Sequence, residues 1–271
     1  MNKNESIPIW VMGPIEEAMA YFAETYKQKE SRFPGWKACF KRYTERYDEI
    51  MSGSEKSVRA LQEIHNELCI ADALLEINNP HIDLIEYEPP LTSGGKTIDF
   101  KCKAGDVSVY IDVKTITPKA INAWEKFVDI RDRELIAPNN EFILDPDYMG
   151  GEFWHSFFTS RGRMLEYTLE LEKKITESGL GDEGNLFILA LCGDGSNWHL
   201  DQLEDFVHFY RSGNHRYDDG FSVMENHFIK QKDIVFSRRI AKFIYLERSL
   251  GYVQPKRIVW NVTPPNILFI H

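Results

Sequence analysis

The chain has 271 residues, 43% hydrophobic and 27% charged, a composition that fits one sizeable globular core and excludes disorder along its length. Its net charge of −10 argues against a partner drawn by overall attraction to phosphate. No apolar run approaches the roughly 18–20 residues of a membrane helix, and MNKNESIPIWVMGP lacks the basic region and longer apolar stretch of a signal peptide, so the reading is cytoplasmic with no membrane partner.

Residues 14–51 carry a helical pattern, with a first helix over Glu16 to Lys27 and a second over Trp36 to Met51. The break between them, SRFPGW, is a turn with Pro and Gly. SGSEKS, residues 52–57, reads as a polar connection ending in a serine cap. In SVRALQEIHNELCIADALLEI, Leu61, Ile64, Leu68, Ala71 and Leu75 recur at spacings of three and four, which predicts a helix with one apolar stripe. Two proline-containing turns follow, with IDLIEYE as a strand between them, and then the hairpin TIDFKCKAGDVSVYIDVKT, residues 97–115. Residues 119–153 mix helical spacing with turn-rich sequence and read as an insertion or long loop. A further helix is predicted over 154–178, and the apolar run LFILALCG, residues 186–193, predicts a fully buried strand. Helices are predicted in WHLDQLEDFVHFY and in SRRIAKFIYLERSLG, and a late strand in KRIVWNVTP, residues 256–264.

Scattered features carry less chemistry. Cys39, Cys69, Cys102 and Cys192 form no CxxC pair and read as free buried thiols. The eight histidines show no paired ligand spacing and read as structural. Between Asn226 and Trp260 eight basic residues oppose two acidic ones, a local charge of +6 that is either a solvated surface or a source of phosphate contacts. Arg161, Arg163, Lys173 and Lys174 fall on the helix of residues 154–178; a solvated face is the plainer reading, with Arg161 or Arg163 meeting a phosphate as the functional one.

The hairpin raises a sharper question, because two acids and a lysine stand in its strands. Side chains alternate across a strand, so Ile98, Phe100 and Cys102 are predicted on one face, with Asp99 on the other. In VSVYIDVK, Asp112 and Lys114 lie opposite Val107, Val109, Ile111 and Val113. A turn at Ala104-Gly105-Asp106-Val107 sets Asp99 directly across from Asp112, with Cβ atoms about 4.5–5.5 Å apart; a shorter turn makes the two diagonal. Two carboxylates so close repel one another, and a bound Mg²⁺ or Mn²⁺ removes that cost. Lys114 is close enough to hold or polarise a metal-bound water. The bland alternative is a salt bridge on a solvated sheet face. On the preceding helix Glu67 sits at the edge of the apolar stripe, about 70° from its centre.

A helix bearing Glu67 in HNELCIADALL, then strands bearing Asp99 in TIDF and Asp112 and Lys114 in IDVK, resembles the PD-(D/E)xK, or restriction-endonuclease-like, nuclease superfamily. The likeness covers about residues 54–116, and more loosely the helix at 154–178 and the strand at 186–193; Ile98 stands where the nominal proline would be. The resemblance implies an α/β fold with a mixed central sheet flanked by helices, here a domain over 54–271 behind a helical N-terminal extension over 1–53. It also implies a metal held by Asp99, Asp112, the Val113 carbonyl and, in support, Glu67. Lys114 would orient or activate the attacking water. The activity implied is metal-dependent hydrolysis of nucleic acid, DNA ahead of RNA, and homodimers are common among double-strand cutters of this fold. The rival reading is a binding or assembly module that keeps the fold without the chemistry; a third is a hydrolase of small phosphate esters.

Overall fold

The computed structural model describes residues 9–52, 57–76, 82, 84–91, 95–116, 160–182, 184–193, 200–214, 235–246, 251–252, 258–259 and 267–270. Three helices come first: α1 (Ile9–Lys29), α2 (Trp36–Met51) and α3 (Ser57–Glu76). Strands β1 (Leu84–Tyr87), β2 (Phe100–Ala104) and β3 (Val107–Ile116) follow, then α4 (Ser160–Ser178), β4 (Leu186–Gly193), α5 (Leu200–Ser212) and β5 (Ile240–Leu246). A 3-10 turn (Leu180–Asp182) lies between α4 and β4, and three short strands complete the described elements: β6 (Gly251–Tyr252), β7 (Ile258–Val259) and β8 (Ile267–Ile270).

The sheet runs β1-β2-β3-β4-β5, with β8 on the outer side of β5, while β6 and β7 pair with each other. β1, β2 and β3 are antiparallel neighbours. β3, β4 and β5 are parallel, and β8 returns antiparallel. The parallel centre follows from the sequence of β4, where Phe187, Leu189 and Leu191 alternate with Ile188, Ala190 and Cys192 and all six are buried. A strand apolar on both faces needs cover on both.

That cover is two helical layers. Phe100, Cys102, Val109, Ile111 and Val113 face one core, shared with side chains of α1, α2 and α3. Tyr110, Phe187, Leu189, Leu191, Phe243 and Tyr245 face the second, shared with α4 and α5. The first core takes in residues from either side of the 53/54 boundary: Trp36 is fully buried and its indole N–H donates to the Phe22 carbonyl at 3.1 Å. Gly35 lets α2 approach β1, since a Cβ there would collide with the Tyr87 side chain. On the second side the buried Glu172 carboxylate ties three elements together. It accepts the Tyr210 hydroxyl at 2.7 Å and the backbone N–H groups of Ser237 and Arg238 at 2.9 and 2.7 Å. Those bonds hold Arg238 at a φ of 57°, a left-handed conformation that costs a non-glycine residue about 1 kcal/mol or more.

Several predicted elements have counterparts. α2 matches its predicted bounds, β4 spans LFILALCG, and α3 and α5 fall on the predicted helices. α1 begins earlier than predicted, at Ile9, and α4 is described from Ser160. SRRIAKFIYLERSLG is a correction: its centre is strand β5, parallel to β4, with Ile240 and Phe243 through Leu246 buried. A short apolar run reads alike as helix or strand, and β-branched and aromatic residues decide here for the sheet. Of KRIVWNVTP only Ile258 and Val259 are described, as β7, and β8 was not anticipated. The insertion read at 119–153 lies outside the described residues. Among the described residues no helix is long and apolar enough to cross a membrane.

If the N-terminal helices belong to the main core, Trp36→Ala costs about 3–5 kcal/mol of stability, read from the shift in urea midpoint. A loss below about 0.5 kcal/mol would mark them as an appendage.

Candidate active site

The hairpin register is set at its turn. Ala104 pairs with Val107, which leaves Gly105 and Asp106 as a two-residue loop, and Gly105 has a φ of 62°. Glycine at the first loop position, in a conformation other residues avoid, is the signature of a II′ hairpin. The ladder then runs to Phe100 opposite Ile111, so Asp99 stands one step on, level with Asp112. The longer of the two turns weighed from sequence is the one formed.

At Asp99 the chain bends away, and Thr97 bridges to Pro90 instead of continuing beside β3. Ile98 consequently packs in the second core with α4, not on the face of Phe100 and Cys102 as strict alternation predicted. The bend leaves the Val113 N–H without a ladder partner, and Asp99 Oδ2 accepts it at 2.5 Å. A residue in an antiparallel ladder offers its N–H and C=O to the same neighbour, so the Val113 carbonyl is directed to this same gap.

Asp112 is completely buried, at 0% side-chain exposure. Lys174 of α4 donates to its Oδ1 at 2.9 Å. Lys114 Nζ lies 3.1 Å from Oδ2, an ion-pair distance, but off the direction of a hydrogen bond, so Oδ2 is buried without a hydrogen-bond donor. Burial opposes the charge of Lys114, yet Asp112 and Asp99 outweigh it and hold the ammonium above its ordinary range. Burial first, and the Asp112 charge second, push half-buried Asp99 up to about 7, against the pull of Lys114 and the Val113 N–H. The acids and lysine thus meet as the sequence suggested, but on a face covered by α4, not a solvated one.

Glu67 reaches the site from the other helical layer. Its side chain is 13% exposed; Oε2 accepts the Tyr87 hydroxyl at 2.7 Å and lies 4.0 Å from Arg42 Nη1. Arg42 also bonds Glu88 at 2.7 Å and the Tyr87 hydroxyl. Burial pushes Glu67 up, with Tyr87 and Arg42 partly offsetting it. Its charge is felt by Asp99, but among the described residues no hydrogen bond joins Glu67 to Asp99 or Asp112. The IDVKT strand is braced from both layers at Thr115: Asn66 donates to its hydroxyl at 2.5 Å, and Tyr167 to its carbonyl at 3.1 Å.

Tyr87 and Arg42 of this constellation escaped the sequence reading, and Lys174, read there as part of a solvated helix face, instead sits on the buried Asp112. For Lys174 a signal existed. Tyr167, Leu171 and Lys174 fall at i, i+4 and i+7, so a lysine occupies the buried stripe of α4. Arg163 is buried, bonds Glu166 and stacks at 4.4 Å on Tyr167; the side chain of Arg161 lies outside the described residues. Burial pushes all four thiols up, which leaves them poor nucleophiles.

Among the described residues no three His, Cys, Asp or Glu side chains form a metal cage. The donors on offer are two carboxylates and a main-chain carbonyl, which are hard oxygens. With Asp112 Oδ2 lacking a donor, they fit a divalent cation that keeps several waters, such as Mg²⁺ or Mn²⁺. Comparison of the chain with family models, curated proteins and solved structures gives no match.

Asp99 rises from an ordinary 3.8 to about 7 in the fold. Between those values the native state binds more protons than the unfolded chain, so in chelator-containing buffer stability falls as pH rises through this window. Asp99→Asn still accepts the Val113 N–H but does not titrate. It is expected to flatten that fall in urea unfolding measured from about pH 4 to about pH 7; an unchanged slope would refute the assignment.

Proposed function

We propose that the chain is a metal-dependent nuclease of the PD-(D/E)xK type that hydrolyses phosphodiester bonds, with DNA the substrate ahead of RNA. The observation that carries this reading is two acids set side by side, the buried Asp112 level with Asp99, next to the main chain of Val113. Two carboxylates so close repel one another, and a divalent cation held between them offsets that repulsion. Asp99, Asp112 and Val113 would hold Mg²⁺ or Mn²⁺, with Glu67 in support. When bound, the cation supplies a water activated near neutral pH and positive charge for the phosphate oxygens.

The remaining work falls to side chains. Lys114 stays protonated at neutral pH because Asp112 and Asp99 hold it above its ordinary range. It therefore serves as a charge stabiliser and water-orienting donor better than as a base. Asp99, pushed up to about 7, gives up its proton readily when a cation arrives. Arg42 and Tyr87 hold Glu67 in one orientation. Of the basic segment, Arg238, Arg239 and Lys242 are described; as phosphate contacts they belong to this proposal, as does a homodimer that would present two sites to a duplex.

One observation favours the rival reading of a binding or assembly module. Both oxygens of Asp112 already lie beside ammonium groups, which balances the charge of the pair without a metal.

The test is cleavage of linear duplex, single-stranded and supercoiled DNA and of RNA with Mg²⁺ or Mn²⁺. Cutting by the wild type is expected, falling about 100-fold or more in Lys114→Ala and to background in Asp112→Asn. No cutting of any substrate, with no calorimetric binding of Mn²⁺, would move the reading to the binding module.

A further inference from the structure

Lys174 lies outside the acid and lysine pattern of the hairpin, 62 residues beyond Asp112. It nevertheless lies nearer to Asp112 than Lys114 does, 2.9 Å from Nζ to Oδ1 against 3.1 Å to Oδ2. Asp112 is its one hydrogen-bond partner among the described residues, and its side chain keeps 23% exposure while Asp112 has none. Lys114 is about as exposed, at 21%, so the two lysines differ in where they come from and not in their exposure. Lys114 rises from the same strand two residues after Asp112, and its position follows from the strand. Lys174 reaches across from α4 on a flexible four-carbon stem.

Taking the metal-site reading above as its premise, we infer that Lys174 competes with the divalent cation for Asp112. Its ammonium is a built-in counterion that keeps the buried carboxylate neutralised without metal, and it must yield Oδ1 or bear repulsion when a cation binds. Charge dictates this. The ammonium groups of Lys114 and Lys174 already face Asp112, and a divalent ion bound at that carboxylate adds positive charge close to both. Like charges at that separation in a partly dry site repel strongly. Removing the ammonium of Lys174 therefore has opposite effects on two quantities: the metal-free fold loses a partner for a buried charge, and the cation gains a vacated oxygen. A merely structural lysine would weaken both.

The experiment measures Mn²⁺ affinity by calorimetry and urea stability in chelator for the full chain and for Lys174→Gln, Lys174→Met and Lys174→Arg. Gln keeps a hydrogen-bond donor for Oδ1, which protects folding should Met prove too disruptive. Both neutral variants are expected to bind Mn²⁺ about tenfold tighter or more, while losing stability in chelator; Arg, which keeps the charge, stays close to wild type. Binding by the neutral variants alone would support the inference in its strongest form. Mn²⁺ binding in the wild type that is unchanged or weaker in both neutral variants overturns the competition and leaves the metal-site reading standing. Failure of all four proteins to bind, or wild-type binding that survives Asp112→Asn, overturns both.

Discussion

Asp112 is a charged residue in the middle of a sheet with helices on both sides, and much of the local structure answers to it. A buried carboxylate without partners is not tolerated, and removing one member of a buried pair costs about 3–5 kcal/mol. The fold supplies Lys114 from the same strand and Lys174 from α4, so the packing of that helix on the sheet is also an electrostatic contact. The supply is incomplete: Oδ2 has charge beside it but no hydrogen bond.

The bend at Asp99 complements this arrangement. Had β2 continued straight, a backbone carbonyl would have met the Val113 N–H and no gap would exist. The chain instead turns away to the Pro90–Thr97 bridge, and a side-chain carboxylate takes over the bond. One local departure from the ladder therefore brings a second acid beside the first and leaves main-chain oxygen directed between them. The price is the raised pKa of Asp99, a cost of burial and of the neighbouring charge.

The site is also a junction of two layers. Glu67, Tyr87 and Arg42 approach from the side of the N-terminal helices, and Lys174 from the side of α4. Asn66 and Tyr167 meet at Thr115, one residue past Lys114, from opposite faces. A shift of either layer would move the IDVKT strand or its counterions. This links the packing of α2, pressed onto β1 at Gly35, to the geometry of the carboxylates.

Some of this was legible in the amino-acid order because it depends on near neighbours. The period of α3, the apolar run of β4 and the glycine turn at 104–107 are local signals, and the turn alone carries Asp99 level with Asp112. The helix read into SRRIAKFIYLERSLG failed because a short apolar run suits either period, and pairing with β4 decided it. Ile98 changed sides because a bend interrupts alternation in a way no period reveals. By itself, then, the sequence determined the hairpin and the nearness of its two acids, all within twenty residues of chain, and left two registers open between which the folded ladder decided. Only the tertiary structure decided that their face is covered, that Lys174 sits on Asp112 and that Arg42 and Tyr87 hold Glu67. Those contacts join segments far apart in the chain, and they exist only once two helical layers close on the sheet.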